Sequence, residues 1–299
     1  MQNSLVNQAF MALSNAGLQV IGLKEVTEER LLKLKVTKGK VAPKKDCYKT
    51  VSQVEEDSSQ ELDIDFLLQR YNPQETRDLV RCLGATDWRE AFARVQKVIR
   101  TNRGTALFNM GDFINVSFEV PAAEYQGLSF KSLTIQNAKV QIVDVMPDKV
   151  TFNFDEIIFM SGIQSHKMGK GSFSDCALSE YLNNEFKTAL GIPSGSMLAN
   201  KDGDHITLLT AYELFGESEY WEKETNWDAN DDEKTMRQIP YFKNEKNRVK
   251  VYKNETDWYW TSSPRASLAS NFGTVNTNGN SSDTAASEVR GVAPAFCVV

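Results

Sequence analysis

The sequence predicts an α+β fold in which a mainly helical N-terminal region, residues 1–104, precedes a strand-rich C-terminal domain, residues 105–299. Three observations carry this reading. Apolar residues recur at helical spacing through much of the first hundred positions, and beyond "TNRGTALFNMGDF" the period shortens to two. The last forty residues are almost all Ser, Thr, Asn, Ala, Gly or Asp, held between an aromatic knot at Trp258–Trp260 and an apolar run from Val292 to Val299. At 299 residues, with 41% apolar and 25% charged side chains, the chain has the composition of a globular protein and the length for more than one unit.

In order along the chain, Leu5, Val6, Ala9, Phe10 and Leu13 share one helical face, and Asn15-Ala16-Gly17 ends it. "RLLKLKVTKG" alternates apolar and basic residues as a half-buried strand does. Its lysines, Lys33, Lys35, Lys38, Lys40, Lys44 and Lys45 with the following turn, read as a solvated outer face, with phosphate or an anionic glycan as the alternative partner. Asn72-Pro73-Gln74-Glu75 has the chemistry of a helix start and Gly84 that of its end. Thr86-Asp87 caps the next helix, whose stripe of Trp88, Phe92, Val95 and Ile99 belongs in a core or in a seam to a partner.

Beyond residue 104, "DFINVSFEV" and "SLTIQNAKVQIVDVMPDKVTFNFDEIIFM" alternate as strands, with a turn at Pro147-Asp148. Ser174 is the expected cap of a helix through "DCALSEYLNNEFKTALG", which aligns Leu178, Tyr181, Leu182, Phe186 and Leu190 before Gly191-Ile192-Pro193 stops it. "HITLLTAYELFG" reads as a strand entering a helical turn, and "ESEYWEKETNWDANDDEKTMRQ" as a polar surface loop.

Charge and residue chemistry narrow the function. A net charge of −6 argues against a phosphate-tracking surface, so no nucleic-acid partner is expected. Cys47, Cys82, Cys176 and Cys297 form no CxxC and read as free thiols, and with His166 and His205 as the two histidines a zinc site built from histidine is not expected. Asp228, Asn230 and Asp232 have the alternate spacing of a calcium loop, but Glu233 stands at the glycine position and Ile239 at the bidentate glutamate position. A solvated acidic loop is therefore expected and no cofactor, with a non-standard calcium site at these residues as the alternative. "GIQSHKMGKGSFSD" lacks the phosphate-loop pattern, and no serine sits in a GxSxG elbow, so no catalytic residue is assigned. No apolar run reaches the ~20 residues of a membrane span, and "MQNSLVNQAF" has no export-signal pattern. The expected site of synthesis is a bacterial cytoplasm.

From Met110 onward, "MGDFINVSF", "KVQIVDVMPDKVTFNFDEIIF", "SFSDCALSEYLNNEFKTAL", "DWYWTSSP" and "GVAPAFCVV" resemble an uncharacterised domain family of gut bacteria and their phages. Its order of strands, helix, polar loops and terminal strands is similar to the C-type lectin-like fold of formylglycine-generating-enzyme relatives and of the variable proteins of diversity-generating retroelements. Leu182, Asn183 and Phe186 match its helix motif, Trp258, Trp260, Ser263 and Pro264 its "WLRSP" strand, and Gly291, Val292, Pro294, Ala295 and Phe296 its terminus. Thr261-Ser262 and Ala293 depart from it, which removes an arginine-centred ion pair unless Arg265 or Arg290 supplies it. The paired cysteines of the formylglycine-generating enzymes have no match.

The resemblance implies a phage structural, receptor-binding protein, exposed on the virion at a tail or similar position. Its N-terminal region would anchor it to other virion proteins, as a homo-oligomer, and its C-terminal polar loops, open to diversification, would bind a host cell-surface protein or glycan. The candidate ligand residues are Trp258, Tyr259, Trp260, Arg265, Asn271, Phe272, Asn276, Asn278, Asn280 and Asp283, with burial in the strand the favoured reading of the two tryptophans over ligand contact. The alternatives are a structural assembly protein without a soluble ligand, and an enzyme acting on a glycan or a protein side chain through a carboxylate pair.

Overall fold

The computed structural model describes residues 76–165, 172–192, 194–200, 203–216, 237–265 and 270–299, and the backbone of a strand pair, β1 (Lys35–Thr37) with β2 (Lys40–Ala42). That pair falls in the segment whose alternation predicts a strand, in antiparallel register with Val36 opposite Val41. The expected helix over residues 5–13 and the start at Asn72-Pro73 lie outside the described residues.

Helix α1 (Leu79–Leu83) begins later than the Asn72 signal implies, because residues 76–78 are not helical and Asp78 takes the cap, its side chain accepting from Val80 N. Gly84 ends it in the left-handed conformation at φ 66°, which the absence of a Cβ permits. Helix α2 (Trp88–Ile99) is capped by Asp87, whose carboxylate accepts from Glu90 N at 2.8 Å. Glu90 also accepts from Thr86 N and Oγ1, both at 2.7 Å, which ties the residue before the cap to the first turn. The predicted stripe is the buried one: Trp88, Phe92, Val95 and Ile99 all face inward. Short α3 (Gly104–Leu107) follows, where a Cβ on Gly104 would lie 2.6 Å from Met146 O.

Strands β3 (Phe113–Val120), β6 (Leu133–Val145) and β7 (Val150–Phe154) form an antiparallel meander, with the small hairpin β4 (Ala123–Tyr125) and β5 (Leu128–Phe130) inserted after β3. Pro147-Asp148 makes the predicted turn, closed by Met146 N to Lys149 O at 2.8 Å. The last strand of the chain, β17 (Ala295–Val298), returns to pair with β7, Phe296 opposite Phe152 and Val298 opposite Val150. With β9 (Met197–Leu198) and β10 (Ile206–Thr207) on the far side of β17, the first sheet has the order β10-β17-β7-β6-β3. Phe92 of α2 sits on it, 5.1 Å from Phe152 and 5.5 Å from Phe296 between ring centres. One apolar core runs from Leu79 to Val298, and the change of texture near residue 104 falls inside it.

Helix α4 runs Ala177–Tyr181, widens to a π turn over Leu182–Phe186 and closes with Lys187–Leu190. Its lead-in is capped at Ser172 rather than Ser174: Ser172 N and Oγ both donate to the Asp175 carboxylate, at 3.0 and 3.2 Å, and Ser174 lies within the 3-10 turn Phe173–Asp175. The three-residue reach of Asp175 selects Ser172. Helix α5 (Ala211–Phe215) follows β10 and is capped by Thr210 with Glu213. Gly216 and Gln238 lie against each other, while the residues between them, with Asp228, Asn230 and Asp232, lie outside the described ones.

The second sheet has the order β15-β14-β13-β16-β8, from β8 (Phe159–Ser161), β13 (Tyr259–Pro264), β14 (Asn271–Val275), β15 (Ser281–Ala285) and β16 (Arg290–Val292). A two-strand finger, β11 (Val251–Tyr252) and β12 (Glu255–Thr256), precedes it. The stretch read from sequence as loop-rich is therefore largely strand. Ser, Asn and Gly have weak strand preference, and pairing with β13 overrides it. Trp260 and Phe272 face the main core, and Tyr259 and Val275 face a second, smaller core with Leu214, Ile239 and Phe242. The whole is a mixed α+β fold dominated by strands.

Candidate functional site

The register of the second sheet decides which of the ten candidate residues meet. Tyr259 lies opposite Val275 and Pro264 opposite Phe272, while Val275 pairs with Ser281 and Asn271 with Ala285. The turn Asn276–Asn280 is thus at the end where β13 begins, and Arg265 and Asn271 are at the other, four residues and about 13 Å away along a strand. The candidates form two groups.

At the far end, Arg265 Nη1 donates to Asp283 Oδ1 at 2.7 Å, Asn271 Nδ2 donates to Asp283 Oδ2 at 2.6 Å, and Arg265 N donates to Asn271 O at 2.8 Å. The pair is mostly shielded, with 18% and 12% of the two side chains exposed. Here a cation and an amide share one carboxylate, which holds both in place. At the near end, Asn276 Oδ1 accepts from Asn278 N at 2.9 Å and Asn280 N at 3.1 Å, so its side chain is committed to the turn. Asn278 and Asn280 are exposed. Gly279 completes the turn at φ +81° where a Cβ would lie 2.7 Å from Glu245 O.

Three candidates leave the surface altogether. Tyr259, Trp260 and Phe272 are buried, with Tyr259 OH donating to Arg248 O at 2.7 Å and Trp260 Nε1 to Ser161 O at 2.8 Å. They hold the sheet and touch no ligand in this conformation. Trp258 stays half-buried, with the Arg290 guanidinium 5.6 Å from its ring centre. Arg290 entered the sequence reading as a stand-in for a lost ion pair. The parallel pairing of β13 with β16 brings it to Trp258, and no local pattern encodes that pairing. Arg265 makes the ion pair instead, with Asp283.

The other motif residues are structural in the same way. Asn183, in the π turn, donates to Ser179 O and Ile206 O and accepts from His205 N and Ile206 N, standing in for a strand beside β10. Ser263 Oγ accepts from Ala211 N, Pro294 O accepts from Phe154 N, and Gly291 leaves room for Ile157. Leu182, Phe186 and Phe296 are core.

Burial pushes the Cys176 thiol up to about 12 and raises that of Cys297, which also contacts Thr151 Oγ1 at 3.2 Å, so both stay protonated at neutral pH. Among the described residues no group of three His, Cys, Asp or Glu is placed to hold a metal ion, and no helix is long and apolar enough to cross a membrane. The Lys250 ammonium is enclosed, donates to Phe154 O and Asp155 O, and is pushed down to about 8 by burial.

Residues 193–299 match the model of a domain of unknown function, DUF6273, which covers the second sheet from β13 onward and the terminal strand but neither α4 nor the strands before it. No curated protein and no solved structure matches the chain.

Proposed function

We propose that the strand-rich part of the chain is a ligand-binding module of C-type lectin-like design, carried on a phage virion at a tail or similarly exposed position. It recognises a protein or glycan of the host surface, and the N-terminal region attaches it to the particle. Support for the lectin-like design comes from the return of β17 to β7: two antiparallel neighbours enclose α4, α5 and the whole second sheet between them. The observation that carries the binding role is the sorting of side chains in residues 270–290. The one aromatic there, Phe272, is buried; of the exposed positions from 278 to 289 one is apolar, Val289, and the other four are polar: Asn278, Asn280, Ser287 and Glu288. Such side chains supply donors and acceptors with little demand on packing.

The test is binding of the purified chain to host envelope fractions and isolated envelope polysaccharides, by biolayer interferometry. The expected result is saturable binding that weakens in Asn278→Ala/Asn280→Ala or Asp283→Ala with the thermal melt of the exposed pair unchanged. No binding to any envelope component, together with absence of the protein from purified virions, overturns the reading. Sequencing of codons 261–288 across a population tests diversification. Variation at 278, 280, 287 and 288 with Trp260, Phe272 and Thr274 constant is expected, because the latter three are enclosed.

A further inference from the structure

Arg290 is a cation with no counter-ion among the described residues. Its backbone is fixed on both sides: Arg290 pairs with Ser161 of β8, and the next residue, Gly291, donates its N–H to Trp258 O at 2.8 Å. Its side chain makes one hydrogen bond among the described residues, Nη1 to Val289 O at 3.0 Å. Nε is enclosed without an acceptor. Its other described contact is the Trp258 ring, 5.6 Å away, an attraction worth far less than an ion pair in an enclosed setting. By contrast every other buried cation of this part of the chain is spent: Arg265 on Asp283, Arg248 on Phe242 O and Lys250 on Phe154 O.

We propose that Arg290 and Trp258 form an acid-recognising subsite, at the near end of the second sheet, for a saccharide unit that carries a single carboxylate. This rests on the binding-module reading and names the ligand class within it. The guanidinium takes the carboxylate, whose planar oxygens match its N–H groups. Trp258 is half-buried, with the guanidinium 5.6 Å from its ring centre, and the part of the indole left uncovered is apolar and suits the C–H face of a sugar ring. Val289, next to Arg290 in the chain and 55% exposed, adds an apolar side chain. The turn at the same end of β13 presents the amides of Asn278 and Asn280, which are neutral and suit hydroxyl groups. A polyanion is the poorer fit. The chain carries a net charge of −6, and Glu288 is exposed two residues away, so each further ligand charge meets repulsion.

The test uses three probes on the intact chain, by titration calorimetry and indole NMR: an oligosaccharide ending in glucuronic acid, its methyl ester, and the glucose-terminated counterpart. The acid is expected to bind at least about tenfold more tightly than the ester or the neutral sugar, with the Trp258 indole resonance moving on titration. Arg290→Met should erase that preference while leaving the melt unchanged, and Arg290→Lys should restore only part of it, since an ammonium lacks the planar fork. Equal binding of acid and ester, or an acid preference that survives in Arg290→Met, overturns the subsite. Binding of neutral but not acidic sugars overturns it and leaves the binding module standing, whereas binding of no saccharide and no envelope fraction overturns both.

Discussion

Replacing Asp112 tests how the first sheet is tied to the helices before it. The carboxylate is fully enclosed and accepts four hydrogen bonds: Arg77 Nη2 at 2.6 Å, Arg77 Nε at 3.3 Å, Arg77 N at 2.9 Å and Asn109 N at 2.9 Å. Arg77 also donates to Leu107 O and is itself mostly buried, so the ion pair fastens the lead-in to α1 against the turn that opens β3. Asp112→Ala takes from the Arg77 guanidinium its paired carboxylate and from two backbone N–H groups the acceptor that Asp112 supplies. Breaking one side of a buried pair costs about 3–5 kcal/mol, a large part of the ~5–15 kcal/mol that holds a domain folded. At a urea dependence of roughly 1–3 kcal/mol per molar, the unfolding midpoint should fall by at least about 1 M. Adding Arg77→Met removes the cation that faced Asp112, so the double variant should be less destabilised than the sum of the singles, by about 1 kcal/mol or more. A midpoint for Asp112→Ala within error of the parent, or strict additivity of the two changes, refutes the reasoning.

Three further outcomes follow from other sites. Asn183→Ala strips four hydrogen bonds, one within α4 and three to His205 and Ile206 at the start of β10, and takes from the buried Ile206 N–H and C=O their Asn183 partner, so a loss of at least about 1–3 kcal/mol is expected in thermal unfolding. Asn183→Asp should not rescue it, because the second oxygen then faces two carbonyls. Gly279→Ala should cost about 1 kcal/mol or more, through the positive φ and the approach to Glu245 O, while Asn278→Ala beside it stays within about 0.5 kcal/mol; chemical denaturation of the two distinguishes them. Lys250 is protonated at about pH 8 in the fold and near 10.5 when exposed, so between those values the unfolded chain holds more protons and stability rises with pH. The stability of the parent relative to Lys250→Met should therefore climb by about 3 kcal/mol from pH 8 to 10.5; a flat difference counts against a buried ammonium.

Helical faces were readable because their signal is local. The α2 stripe and the row Leu178, Tyr181, Leu182, Phe186 and Leu190 lie at short spacing and are all buried. Ser174 does not cap α4: the helix starts after Cys176 with no side-chain cap, and the capping box lies one turn earlier, where the reach of Asp175 selects Ser172 over Ser174. The second sheet was harder. Asn271–Val275 and Ser281–Ala285 carry turn-forming residues, and what makes them strands is a ladder against β13. For the site, composition marked the correct stretch but not its partition: Phe272 and Asn276 look like surface residues in sequence, yet one fills the core and the other closes a turn.

Two cores press on the second sheet from opposite sides, and this limits where any ligand can touch it. Phe272, Gly273, Thr274 and Val275 are all enclosed, so the middle of β14 offers nothing to solvent. What remains open of β14 is its two ends. The Arg265–Asn271–Asp283 cluster at one end has its charges already matched, and suits a neutral ligand or a role in stiffening the hairpin. The other end holds Arg290, which has no counter-ion among the described residues, the half-buried Trp258 and the exposed Asn278 and Asn280. Because about 13 Å separates the ends along β14, a single sugar ring contacts one of them and not both. Substitutions at Asp283 and at Arg290 should then act on different ligands or different parts of a long one, and their effects on binding should add rather than couple.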